Sequence, residues 1–333
     1  MKSVAVLSAL VSAAVAQSST SSAAGASSSS NPLIPTGISD GCSSFLNTLN
    51  SNSGFSACTS PIISATQQFG PGGNETSGAT TGSINSALNN LCSTSAFSAC
   101  PDSTIGDQLT SFYSACSAEL TSNPNTDVIR TYDVLYMLSP MRQAICSKDD
   151  NGKYCVTEIP SASNSDAAGN VDIETTKDTS QKNLWIWTGE DPEADASSTV
   201  TRRDVSNTTA ALIPNTTTFS ATNLVFLFLE PTMSSTQLCT ACTRNILTPY
   251  INFESKIPYG PGLGKSPCMS GQSALYNGVQ GTCGANFLSG AVQAAGGISS
   301  GILNGAALRS MSQDVNAVVA AMLGAAALAA AAF

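Results

Sequence analysis

Eleven cysteines and not one histidine decide which chemistry this 333-residue chain can carry. Without imidazole there is no Ser-His-Asp or Cys-His triad, no histidine general base and no histidine-bearing zinc or copper shell. Acid–base work would fall to carboxylates, and Asp127, Asp133, Glu230 and Glu254 are the candidates for a glycosidase pair. Asp127 and Asp133, however, stand three residues either side of Arg130 on a helical stretch, where surface ion pairs are the expected use. No catalytic residue, no metal site and no cofactor is therefore expected.

The loop SKDDNGKYCVTE puts Ser147, Asp149, Asn151, Gly152 and Glu158 at calcium-loop positions. Serine stands where the first ligand should be Asp, Tyr154 stands where an aliphatic residue belongs, and Pro160 blocks an exiting helix. The expected reading is a hairpin turning at Asn151-Gly152 and closed by a Cys146–Cys155 disulfide. In CTAC, Cys239 and Cys242 lack both the βαβ setting of a redox pair and a histidine to complete a metal shell, so structural bridges to separate partners are expected. Trp185 and Trp187 share one face of the strand-like LWIW, as sugar-stacking rings do, with packing against neighbouring chain as the expected role. Arg202-Arg203 has the form of a dibasic processing site, read here as an exposed pair.

The elements that must position these residues read mainly as helices. In INSALNNLC, Ile84, Leu88, Leu91 and Cys92 recur at helical spacing; in IGDQLTSFYSACSAEL, Ile105, Leu109, Phe112, Tyr113, Cys116 and Leu120 form a stripe behind a capping box of Thr104 and Asp107. DVIRTYDVLYML predicts a third helix, with Ser139-Pro140 as a stop and capped restart. Ser234 and Gln237 predict the cap of a helix carrying Leu238, Cys239, Cys242 and Ile246, and QSALYNGVQGTC puts Leu275, Val279 and Cys283 on one face. Cysteines thus ride on the apolar faces of helices, where thiols reach neighbouring helices. The predicted fold is mainly α, a disulfide-stapled helical domain with a small hairpin and a long acidic, partly disordered insertion over about 158–215. Beyond the hairpin pair, Cys42, Cys58, Cys92, Cys100, Cys116, Cys239, Cys242 and Cys283 have no partners assignable from spacing, and the odd total leaves one thiol over. FSAC recurs at 55–58 and 97–100, with YSAC at 113–116; repeated hairpins and simple Ser/Ala bias account for it equally well.

Both ends read as addresses. Residues 1–16 have the charged start, apolar stretch and small-residue cleavage site of a signal peptide, and 17–35 form a Ser-rich spacer suited to O-glycosylation. The domain is expected over 36–290, followed by a linker at 291–304. Asn304-Gly305-Ala306, a polar spacer and the greasy AVVAAMLGAAALAAAAF then follow the grammar of a GPI signal, with Asn304 as attachment residue and 305–333 removed. Asn74, Asn207 and Asn215 head N-glycosylation sequons. A net charge of −9 with no basic stripe argues against nucleic acid as a partner.

The segments NPLIPTGIS, NTDVIRTYDVLYML, CSKDDNGKYCV, PNTTTFSATNLVFLFLEP, LCTACTRNILTPYINFE and SGQSALYNGVQGTCG resemble a family of fungal secreted proteins predicted to be GPI-anchored, which share a cysteine-rich domain of unknown function. The resemblance spans about Asn31 to Gly297 apart from the acidic insertion, implies a fungal cell surface and brings no activity or catalytic residue. Cys268 is the candidate for the odd thiol. The function expected is that of a GPI-anchored surface or cell-wall glycoprotein with a structural, adhesive or coating role, whose partners are the GPI lipid and wall glucan. The alternatives are a carboxylate-based wall glycosidase or transglycosylase and a helical module for a hydrophobic ligand.

Overall fold

The computed structural model of the chain describes residues 33–70, 79–158, 185–187, 212–288, 319–320 and 322–327. Its helices are α1 (Asp40–Ser51), α2 (Ser53–Thr66), α3 (Thr81–Leu91), α4 (Thr94–Ala99), α5 (Asp102–Ala115) and α6 (Thr126–Ile145), then, after a short ribbon, α7 (Thr216–Thr222), α8 (Ser235–Leu238), α9 (Ala241–Lys256) and α10 (Gln272–Cys283). The ribbon pairs β1 (Trp185–Trp187) with β2 (Leu212–Pro214) antiparallel, setting Trp185 opposite Pro214 and Trp187 opposite Leu212. This is the mainly helical, disulfide-stapled fold that the periodicity predicts. Apart from Glu158, the ribbon and Asn215, the 158–215 insertion lies outside the described residues, as do the signal peptide, the Ser-rich spacer up to residue 32, the 291–304 linker, Asn74, Asn207, Arg202-Arg203 and Asn304. Among the described residues no helix is long and apolar enough to cross a membrane.

Helix α6 is the axis of the domain, packed mainly against α9 and α5 and buried on nearly every side from Val128 to Ile145. An aromatic column joins them: Tyr136 meets the edges of Phe253 and Tyr259 with ring centres 5.1 Å apart, and Tyr132 bridges Phe112 and Tyr259 at 5.3 Å. The Tyr136 hydroxyl donates to the Ile257 carbonyl at 2.7 Å, tying the end of α9 to this column. Contrary to the predicted stop, α6 continues through Pro140. A proline inside a helix costs about 3 kcal/mol. Burial of Leu138, Met141, Ala144 and Ile145 around it offsets that cost, since most helix stability in proteins comes from packing.

Two further boundaries differ from expectation. Helix α5 begins at Asp102, directly after Pro101, so Thr104 lies inside the first turn and its amide donates to the Pro101 carbonyl. Tyr113, counted in the apolar stripe, is the exposed member of it. The Ser234–Gln237 box does form, with Gln237 Oε1 accepting from the Ser234 amide at 3.2 Å. The helix it opens stops at Leu238, and α9 restarts behind Thr240, whose hydroxyl accepts from the Thr243 amide at 3.1 Å.

Five disulfides lock this bundle: Cys42–Cys116, Cys58–Cys100, Cys92–Cys146, Cys155–Cys242 and Cys239–Cys283. The two FSAC segments are bonded to each other through Cys58 and Cys100. The Cys146–Cys155 bridge expected across the hairpin does not exist. Lys148 pairs with Tyr154 across the hairpin, and the Cys155 amide donates to the Ser147 carbonyl, so Cys155 stands opposite Ser147. Cys146 is one position out of that register, and a one-residue offset turns a side chain to the other face of the ladder. It therefore meets Cys92 at the end of α3, while Cys155 meets Cys242 on α9. Cys268 is left as a buried free thiol.

The apolar tail also packs. Residues 319–320 and 322–327 are helical, with Val319, Met322, Leu323 and Ala325 wholly buried in the same core cluster as Phe69. Gly324 comes so close to the turn after α2 that a Cβ there would stand 2.6 Å from the Phe69 carbonyl oxygen.

Candidate functional site

The carboxylates considered for a glycosidase pair take up different settings in the fold. Asp127 makes the expected surface pair with Arg130 at 2.8 Å. Asp133 does not: it is fully buried and accepts from the Tyr259 hydroxyl, the Ser266 hydroxyl at 2.7 Å and the Cys268 amide at 2.8 Å. The correction has a simple cause, since α6 is enclosed on the side where Asp133 lies and no solvent-facing cation can reach it. Burial pushes its carboxyl up to about 6, against the opposing pull of its Ser266, Tyr259 and Cys268 partners. Burial alone raises Glu230 to about 7, and it also raises Glu254, which accepts from Gln272 at 2.8 Å. Burial lifts the Cys268 thiol well above its usual range, with the neighbouring Asp133 adding to the effect, so it remains protonated and inert.

Asp149, central to the calcium reading, spends its carboxylate within the hairpin, accepting from the Asn151 and Lys153 amides at 3.0 and 2.7 Å; Glu158 pairs with Lys153 at 3.0 Å. Gly152 supplies the left-handed turn at φ +83°. Among the described residues no group of three or more potential metal ligands assembles. Cys239 and Cys242 bridge to different partners, Cys283 and Cys155. Asn215 caps α7, its Oδ1 accepting from the Thr218 amide at 3.4 Å, which leaves Nδ2 as the atom a glycan would take.

What the fold does assemble is an open groove of about 750 Å³ where the end of α4, the start of α5, the end of α6, the 146–155 hairpin and α9 converge. Helix α9 contributes Asn245, Thr248, Pro249 and Asn252. These fall at i, i+3, i+4 and i+7, a single helical stripe opposite the apolar one that packs on α6. Pro249 has no N–H to return to the Asn245 carbonyl, which adds a backbone acceptor on that face. From α6 come Arg142 and Gln143, and from the hairpin Lys148 and Tyr154. The Cys92–Cys146 disulfide, itself part of the lining, fixes the hairpin root against α3.

The electrostatics of this groove are unusual for an acidic chain. Arg142 is buried, with Nη1 donating to the Ala96 carbonyl at 2.9 Å, Nη2 to the Cys100 carbonyl at 3.2 Å and the guanidinium 4.3 Å from the Phe97 ring centre. It thereby serves the carbonyl end of α4, where a cation is favoured. Its Nε has no partner among the described residues. Desolvation draws its pKa down, with the nearby Asp102 opposing. Asp102 is the single carboxylate among the lining residues and accepts from Gln143 Nε2 at 3.0 Å and from the Ser139 hydroxyl. Lys148 lies 4.5 Å over the Tyr154 ring, and the Asn245 side-chain amide donates to the Lys148 carbonyl at 2.8 Å.

Sequence reasoning missed this site because its residues come from five elements and none forms a motif. The polar stripe on α9 is the one signal readable in the sequence, and a polar face is what any half-buried helix turns to solvent. The domain is thus a cross-linked helical bundle with a surface groove. A family model described as Domain of unknown function (DUF7729) matches residues 27–173, which carry α1 to α6 and the hairpin. That match contains Arg142, Lys148 and Tyr154 but stops short of α9. No curated protein and no solved structure matches the chain.

Proposed function

We propose that this chain is a GPI-anchored glycoprotein of the fungal cell surface or wall that acts by contact, in an adhesive, structural or coating role, and not by catalysis. The observation that carries the contact role is the groove: amides, two cations and two aromatic rings line it, but one carboxylate only. A glycosidase needs two acids facing each other across the bond to be cut, and the charged, amide-rich lining does not suit an apolar ligand. Five disulfides within a mainly helical frame support use in an oxidising extracellular setting. Asn304, Asn74, Asn207 and Asn215 are the modification sites in this reading, with the GPI lipid and wall glucan as the holding partners.

The test is release from intact cells, first with a phosphatidylinositol-specific phospholipase and then with a wall glucanase. Release by the lipase places the protein on the membrane, and release by the glucanase places it in the wall. Release by neither, with the alanine-rich tail still attached by mass spectrometry, would overturn the anchoring.

A further inference from the structure

The groove is lined by two cations and one carboxylate, on a chain of net charge −9. Arg142 and Lys148 are its cations, and neither is ion-paired among the described residues. The opposing Asp102 is already engaged by Gln143 and Ser139. Elsewhere in the hairpin Lys153 pairs with Glu158, while Asp149, beside Lys148, spends its carboxylate on the Asn151 and Lys153 amides. A buried guanidinium without an acid partner is costly, and a ligand acid group is what would relieve it. Arg142 offers five N–H donors in all, of which the Ala96 and Cys100 carbonyls use two and the unpartnered Nε is one of the remainder. Around these cations stand groups of another kind. Asn245 and Asn252 are planar amides able to donate and accept, and the Phe97 and Tyr154 rings, against Arg142 and Lys148 respectively, belong to the same lining. Amides and aromatic faces suit hydroxyl-rich rings.

We propose that the groove binds an acidic saccharide, its carboxylate or phosphate held by Lys148 and Arg142 and its hydroxyls by the α9 stripe. This rests on the surface-contact reading above and gives it a ligand. Arg142 also caps α4, so the variants that test the site are placed at Lys148 and Asn252, which are not buried. Isothermal titration of the purified chain with trigalacturonate, its methyl ester and mannose 6-phosphate, at low and high salt, reads the outcome. Binding of trigalacturonate or of the phosphosugar, weakened by salt and lost on esterification of the former, is expected, and which of the two binds names the acid. Lys148→Glu should weaken it at least about ten-fold and Lys148→Arg should retain it, with melting temperatures unchanged. Asn252→Ala should weaken the sugar contact while preserving the salt dependence. Equal affinity for the ester overturns acid recognition, and no binding of any of the three overturns the site. Neither failure touches the cell-release result, which reports location alone.

Discussion

Asp133 is the residue whose environment departs most from its place in the sequence. Its neighbours three positions away suggest a surface ion pair, yet it is sealed beneath Tyr259, Ser266 and Cys268 and holds the 259–268 segment to α6. A carboxyl raised from 3.8 to about 6 keeps its proton longer in the folded chain than in the unfolded one. Between those values the folded state binds more protons, so this contribution is fully present below about pH 4 and is lost as pH rises through about 6. It is worth on the order of 1 to 3 kcal/mol. Chemical denaturation across pH 4 to 8 should show Asp133→Asn removing that decline, leaving a flatter profile than wild type; parallel profiles would mean that Asp133 is not the titrating group. Arg142 teaches the complementary lesson, because a cation that looks surface-bound in the sequence is buried to close one helix and line a groove.

At the scale of elements, close approach explains what periodicity leaves open. Helix α10 packs so tightly on the loop after Leu229 that a Cβ at Gly278 would stand 2.5 Å from the Pro231 Cβ and 2.7 Å from its carbonyl oxygen. Backbone atoms cannot swing aside as a flexible side-chain tip can. Gly278→Ala should therefore destabilise the fold by about 1 to 3 kcal/mol despite alanine's better helix propensity. A lowered urea midpoint checks this, and a raised one would mean that α10 stands farther off. The turn that leads into this loop includes left-handed Asn223, Leu227 and Phe228, with Asn223 Nδ2 donating to the Leu229 carbonyl at 3.0 Å to hold it. Bulky residues in that region store strain. The apolar run LVFLFL is accordingly a compact turn, buried except at the half-buried Phe228.

Across the whole molecule, the greasy tail serves two readings at once. As sequence it follows the grammar expected of an attachment signal; as structure its helix covers Phe69 and the turn after α2. Burial of Val319, Met322 and Leu323 at about 1.5 to 3 kcal/mol each means that a chain ending at Asn304 should unfold at a lower urea concentration than the full chain. It should also bind more of a dye specific for exposed apolar surface. Identical midpoints and dye binding for the two chains would show that the tail does not dock. If the tail is exchanged for a lipid, the surface beside Phe69 is uncovered only in the finished protein.

Local period and composition determined the fold class here. Ile84, Leu88 and Leu91, or Leu275 and Val279, announce buried helix faces because side-chain spacing along a helix is fixed by covalent geometry alone. The absence of histidine removed whole reaction classes for an equally local reason. Tertiary structure alone decided which thiols meet, that α6 runs through Pro140, that Asp133 is buried and that Arg142, Lys148 and the α9 stripe share a groove. Each of these depends on distances between segments far apart in the chain, and such distances are set by how the helices pack against one another.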